Sequence, residues 1–307
     1  MKKKIRLSRQ MLILAALALC LIILGCVIFL ASRWTEEAGI QPDSTDASST
    51  LSDYEEETTE PTEETVNYSV TPDPTAFTEP EEAHLETMPD LSARQKSVIV
   101  PEGPDAGASY FDDAVFIGDS RTEGFRMHSG ISATKADFLT KVGMSVDWVC
   151  SENENRWLEV PGEDQKMSVI TALGRKQYKK IYISLGINET GWMTDEEFTS
   201  LYRNFLERIR QIQPDAEIYL QGIIHVTQAR SDDGVNTNAR VNEMNCLIMD
   251  LAAETGAHYL DLNEVMTNEN GHLFAYGAAK DGVHMTKSFY EVWYLYLRHH
   301  TAERSKS

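Results

Sequence analysis

The chain has 307 residues, 42% of them hydrophobic, with 28 basic and 48 acidic side chains and a formal net charge of −20. No basic patch points to nucleic acid, so that class of partner is set aside. The charge is distributed unevenly and divides the chain into an apolar start, an acidic spacer and a mixed remainder.

Residues 1–10 carry Lys2, Lys3, Lys4, Arg6 and Arg9 with no acid, and residues 11–32 contain no charged side chain. As a helix the uncharged run spans roughly 33 Å, enough to cross the hydrocarbon core. It predicts one transmembrane signal-anchor helix, with the basic tail cytoplasmic and everything downstream extracellular. Cleavable signals have a shorter apolar region and a small-residue cleavage site. Leu24-Gly25-Cys26 is similar to a lipoprotein cleavage box, but the apolar stretch runs on to Leu30, and an uncleaved anchor is the preferred reading. From Thr35 to Asp90 there are 17 acids and no Lys or Arg, interleaved with Thr, Ser and Pro. Such a segment buries too little apolar surface to offset its ordering entropy, which predicts a disordered stalk over residues 33–100 and a folded domain over 101–307. The positive start, single anchor and acidic stalk look bacterial.

Residues 91–307 hold 31 acids and 22 bases, a net charge near −9, and about 200 residues make one ordinary domain. The spacing of Cys150 and Cys246 neither proves nor excludes a disulfide, and two free thiols are the preferred reading. His, Cys and carboxylates show no metal-ligand spacing, so neither a metal nor another cofactor is predicted.

Within the domain, period and punctuation predict strands over Ala114 to Gly118, Asp137 to Val142, Lys180 to Leu185, Glu217 to Ile224 and Ala257 to Leu262. Helical patterns fall between and after them, at Ser145 to Cys150, Met167 to Gln177, Asp195 to Ile212, Thr237 to Thr255 and Thr286 to His300. Strands alternating with helices imply an α/β fold with a parallel sheet covered on both faces. In such sheets ligands bind outside the carboxyl ends of the strands. Those ends carry Gly118-Asp119-Ser120, Gly143, Gly186-Ile187-Asn188 and His225.

A serine hydroxyl needs a base within hydrogen-bond reach, and the base needs an orienting group. Lys280-Asp281-Gly282-Val283-His284 precedes the last helix, so one loop can offer His284 as base to Ser120 and Asp281 as its orienter. The backbone N–H groups of Ser120 and Gly143 and the side-chain amide of Asn188 are candidate oxyanion donors. Arg121 and Trp192 are candidate substrate contacts, the first for an anionic group and the second as a pocket wall; an exposed arginine and a packed indole are the plainer readings. His225 is a rival base without a nearby carboxylate in sequence.

The ordered blocks G-D-S at 118–120, an isolated glycine after strand two, G-I-N at 186–188 and D-G-V-H at 281–284 together resemble the SGNH (GDSL-type) hydrolases, over roughly residues 111–300. The resemblance implies a flavodoxin-like three-layer α/β/α sandwich and ester hydrolysis through an acyl-serine, with Ser120, His284 and Asp281 as triad and Ser120, Gly143 and Asn188 as the oxyanion hole. Two positions depart from the family's pattern: Arg121 stands where Leu is usual and Glu189 where Asp is usual. No G-x-S-x-G surrounds the serine, against the α/β-hydrolase arrangement. Combined with the anchor, the expectation is a membrane-anchored, extracytoplasmic esterase cleaving O-acetyl or other short-acyl esters of cell-surface glycans. An O-acyltransferase using the same triad, and a non-catalytic glycan- or partner-binding module, remain open alternatives.

Overall fold

The computed structural model describes residues 86–302. The basic tail, the expected span at 11–32 and the spacer up to residue 85 lie outside the described residues. Among the described residues no helix is long and apolar enough to cross a membrane.

Five strands, β1 (Ala114–Gly118), β2 (Asp137–Thr140), β3 (Lys180–Ser184), β4 (Glu217–Gln221) and β5 (His258–Leu260), form one sheet in the order β2-β1-β3-β4-β5. Every neighbouring pair is parallel, the expected flavodoxin-like arrangement. The helices are α1 (Ala93–Lys96), α2 (Ser120–His128), α3 (Val146–Val149), α4 (Val169–Leu173), α5 (Asp195–Ile212), α6 (Gln228–Asp232), α7 (Asn238–Thr255), α8 (Asn263–Met266) and α9 (Lys287–His299).

The strands read as continuous apolar runs because both faces are buried. On one face Val115, Ile117, Ile181, Ile183, Ile218 and Leu220 pack with Phe198, Tyr202 and Phe205 of α5 and Val241 and Ile248 of α7. On the other, Phe116, Tyr182 and Tyr219 pack with Phe125 of α2 and Trp293 and Leu297 of α9. Register puts one ring per strand in line there: Phe138, Phe116, Tyr182 and Tyr219 stack at centroid spacings of 5.1, 4.6 and 4.6 Å. Offset stacks of this kind add to simple area burial and hold the strand ends level.

The longest elements match expectation because their signals are local. A capping box of Thr194 and Glu197 starts α5, and Pro214 follows its end. Three departures have physical causes. The expected fourth strand continues to Ile224, but pairing stops at Gln221; beyond it the buried backbone is bonded by side-chain amides. Asn245 bonds both polar groups of Ile223, Asn263 bonds Ile223 O and His225 N, and Asn238 bonds both groups of Val226. Helix α4 begins two residues late because Met167 pairs with Leu158 in an antiparallel bridge. The boundary expected at residue 101 moves upstream: Val98 O accepts from Tyr259 N at 2.8 Å, Val100 N donates to Tyr259 O at 2.9 Å and Val100 is buried. Residues 98–100 therefore cover the edge of β5, which would otherwise offer unpaired backbone groups, and 86–100 belong to the folded domain rather than the stalk.

A fragment starting at residue 101 is expected to melt below one starting at 86, since burying Val100 alone contributes roughly 1.5–3 kcal/mol. Equal thermal midpoints for the two fragments would contradict this boundary.

Candidate active site

Ser120 is the first residue of α2, directly after β1, with Asp119 as N-cap accepting from Arg121 N at 2.8 Å. This position half-exposes the hydroxyl and leaves the Ser120 amide among the first-turn donors that no helical carbonyl satisfies. On the loop before α9, Asp281 Oδ1 accepts from the backbone N–H groups of Val283 (3.0 Å) and His284 (2.9 Å), curling the segment into a turn. Gly282 has φ +69°, and a Cβ there would lie 2.4 Å from Thr227 Oγ1, so the turn demands glycine on two counts.

The turn aims His284 at the serine. Its Nδ1 lies 2.6 Å from Asp281 Oδ2 and its Nε2 lies 2.7 Å from Ser120 Oγ, across 164 residues of sequence. With Nδ1–H donating to the carboxylate, Nε2 is left to accept from the hydroxyl. Partial burial raises the Asp281 carboxyl, but the bonds from His284 and Val283 outweigh it and hold it down at about 2. Asp281 therefore stays ionised across any range in which the imidazole can act. The three residues expected to form a triad are brought together.

The expected oxyanion donors sit at the same strand ends. Gly143 is exposed with φ +75°, and no heavy atom lies within 4 Å of the place a Cβ would occupy. Glycine is needed there for the backbone conformation, and the space above it is open. Asn188 Nδ2 donates to Met144 O at 2.9 Å and, more weakly, to Asp119 Oδ2 at 3.4 Å, so its amide is held beside Asp119 at the end of β1.

Two expectations about substrate contacts divide. Trp192 is 60% exposed, with its indole N–H donating to Asn188 O at 2.7 Å, so its ring is fixed at the rim rather than packed. Arg121 is corrected: it is 3% exposed and points inward, Nε donating to Val283 O at 2.9 Å and Nη1 to Ile224 O at 2.6 Å. It ties the helix that Ser120 opens to the backbone beyond β4 and to the loop carrying His284, and is buried from solvent. The rival base His225 is also buried, its ring nitrogens facing Gly271 O and Asn242 Oδ1 and its basicity lowered by burial.

Sequence reasoning missed what Arg121 and Glu189 do. Glu189 is fully buried, and its Oε1 accepts from Val146 N at 2.7 Å. Burial, with Asp119 and Asp147 nearby, raises its carboxyl to about 8 despite the Val146 bond. The available signal was that both residues interrupt the motif at its most constrained points. Cys150 and Cys246 are both free thiols, half-buried, and burial pushes Cys150 up to about 11, which keeps it protonated and unreactive.

Replacing Arg121 by Met strands the carbonyls of Val283 and Ile224, at about 1–3 kcal/mol for each buried group left unsatisfied. Urea unfolding is expected to show a loss of about 2–6 kcal/mol for the two together, partly recovered by Arg121→Lys; an unchanged midpoint for Arg121→Met would contradict this role for Arg121.

The sequence model of the GDSL-like lipase/acylhydrolase family matches residues 116–292, more than half of the chain. Among curated proteins none matches. Solved structures with a similar course include a Streptococcus pneumonia protein provisionally described as a platelet activating factor (18% identity, 61% of this chain and 82% of that chain, TM-score 0.49). Two others are a GDSL-like lipase from Bacteroides thetaiotaomicron (14%, 62% and 87%, 0.47) and an acetyl xylan esterase, AlAXEase (12%, 60% and 96%, 0.43). At these identities and TM-scores, none of these likenesses bears on this chain's substrate. By the family match alone, the chain belongs to the GDSL-like lipase/acylhydrolase family and is a serine hydrolase acting on ester bonds.

Proposed function

We propose that the protein is a membrane-anchored, extracytoplasmic esterase that removes short acyl groups, O-acetyl foremost, from cell-surface glycans, with Ser120 as nucleophile, His284 as base and Asp281 as orienter. The observation that carries this reading is the single imidazole bridging Ser120 Oγ and Asp281. In the first step the Ser120 proton passes to His284 Nε2 while Oγ bonds to the ester carbonyl carbon. The negative oxygen lies toward the amides of Ser120 and Gly143 and the Asn188 side chain, each such donor contributing about 3 kcal/mol to the transition state. Collapse breaks the bond to the alcohol, which leaves with the proton from Nε2. Water then attacks the acyl-serine, giving a proton to Nε2 that returns to Ser120 as the acid departs.

The location rests on the uncharged run at 11–32 behind five basic residues. The glycan substrate rests on that location and on Trp192, whose fixed, exposed ring beside Asn188 offers a flat face to a sugar.

A fluorophosphonate probe is expected to label the wild-type chain at Ser120, with no labelling of Ser120→Ala and at least ~100-fold slower labelling of His284→Ala; an unlabelled, folded wild type would contradict the mechanism. Trp192→Phe is expected to keep, and Trp192→Ala to raise several-fold, the KM for an acetylated glycan, with p-nitrophenyl acetate little affected. Equal KM values in both variants would remove Trp192 from substrate binding. On cell fractionation the full chain is expected to sediment with membranes and its outer domain to be cut by added protease; a chain found wholly inside intact cells would contradict the location.

A further inference from the structure

The oxyanion side of the site is assembled from two loops that share no sheet pairing, the β3–α5 turn carrying Asn188 and the segment after β2 carrying Gly143. Two bonds join them. Asn188 Nδ2 donates to Met144 O at 2.9 Å, and Glu189 Oε1 accepts from Val146 N at 2.7 Å. Val146 opens α3, whose N-cap Ser145 makes no side-chain cap bond because its hydroxyl goes to Asp147. A carboxyl from the other loop therefore caps this helix.

We infer that Glu189 is a positioning residue for the reaction, its carboxyl latching the Asn188 turn to the loop that carries Gly143 so that the two oxyanion donors are held in register. The inference rests on the catalytic reading above and adds to it a group that touches no substrate.

The latch works in one protonation state. Glu189 is fully buried, and its second oxygen, Oε2, has no hydrogen-bond partner. A carboxylate there would keep its charge out of water, with only the backbone amides of Val146 and of Glu189 itself to balance it. Of the titratable groups facing it, Asp119 from the end of β1 and Asp147 from α3 worsen that balance, while the Tyr202 hydroxyl from α5, pushed up by burial and by Glu189, stays neutral. Glu189 is accordingly a neutral acid at pH 7, titrating at about 8. On ionising it gains by leaving for water, which releases Val146 and lets the Gly143 loop drift from Asn188. The family's usual Asp has one methylene less with which to reach Val146 N.

An acid held neutral in the fold but free to ionise when unfolded makes the folded state lose stability as pH rises from its ordinary value, 4.5, to its folded value, about 8, and no further beyond. Gln carries the same accepting oxygen with no proton to lose.

The test uses the full-length chain in detergent, with p-nitrophenyl acetate hydrolysis followed from pH 5 to pH 10 for wild type, Glu189→Gln and Glu189→Asp. Wild-type kcat is expected to fall through about pH 8. Glu189→Gln should lie within about twofold of wild type at pH 7 and lose the fall at higher pH. Glu189→Asp should lose roughly tenfold in kcat with KM unchanged, the signature of a displaced transition-state donor. The thermal midpoint of Glu189→Gln should exceed that of wild type by a margin that grows from pH 5 to pH 8. An active wild type whose alkaline limb persists unchanged in Glu189→Gln overturns this inference alone. A wild type inactive at every pH overturns the catalytic reading and takes this inference with it.

Discussion

The hydrogen bond between His284 Nε2 and Ser120 Oγ, 2.7 Å long, is the contact on which the proposed chemistry depends. It joins the first strand's end to the loop before the last helix, so it exists only if every intervening strand and helix takes its place. The sheet levels the strand ends, the stacked rings of Phe138, Phe116, Tyr182 and Tyr219 fix their register, and α9 closes over them with Trp293 bonded to Gln221. The D-G-V-H turn then has one position available to it.

Around this contact the site is braced by buried polar groups. Arg121 ties Val283 O, on the loop that carries His284, to Ile224 O beyond β4, and Glu189 with Asn188 ties the β3–α5 turn to the loop after β2. Buried ionisable groups are costly to keep, and both occur where loops lacking sheet partners must be held to a fraction of an ångström. The polar cost is spent on preorganisation, which is what a reaction that develops charge in its transition state requires.

How much of this the sequence discloses depends on whether the signal is local. Strand β1 and helix α5 match expectation residue for residue, because Gly118, the Thr194–Glu197 box and Pro214 mark their ends within the chain itself. The end of β4 was not readable, since whether residues 223–226 pair with a strand or with Asn238, Asn245 and Asn263 is decided by another helix and loop. The same holds for residues 86–100, whose acidic beginning hides the Val98–Val100 edge that docks on β5. At the site, Ser120, Asp281 and His284 were legible because the chemistry demands those residue types and their blocks follow the order of the family they resemble. Arg121 and Glu189 were visible as departures from the family's pattern, but what they do was not, because their partners are backbone atoms, which leave no mark in sequence.

The central claim is that Ser120 takes the acyl group onto its own oxygen. Mass spectrometry of the chain, acid-quenched during turnover of an activated acetate ester, tests it most directly. One acetyl group on the peptide containing Ser120, lost on incubation in buffer and absent from Ser120→Ala, is the result predicted. Turnover that continues in Ser120→Ala, or an adduct confined to another residue, would contradict it.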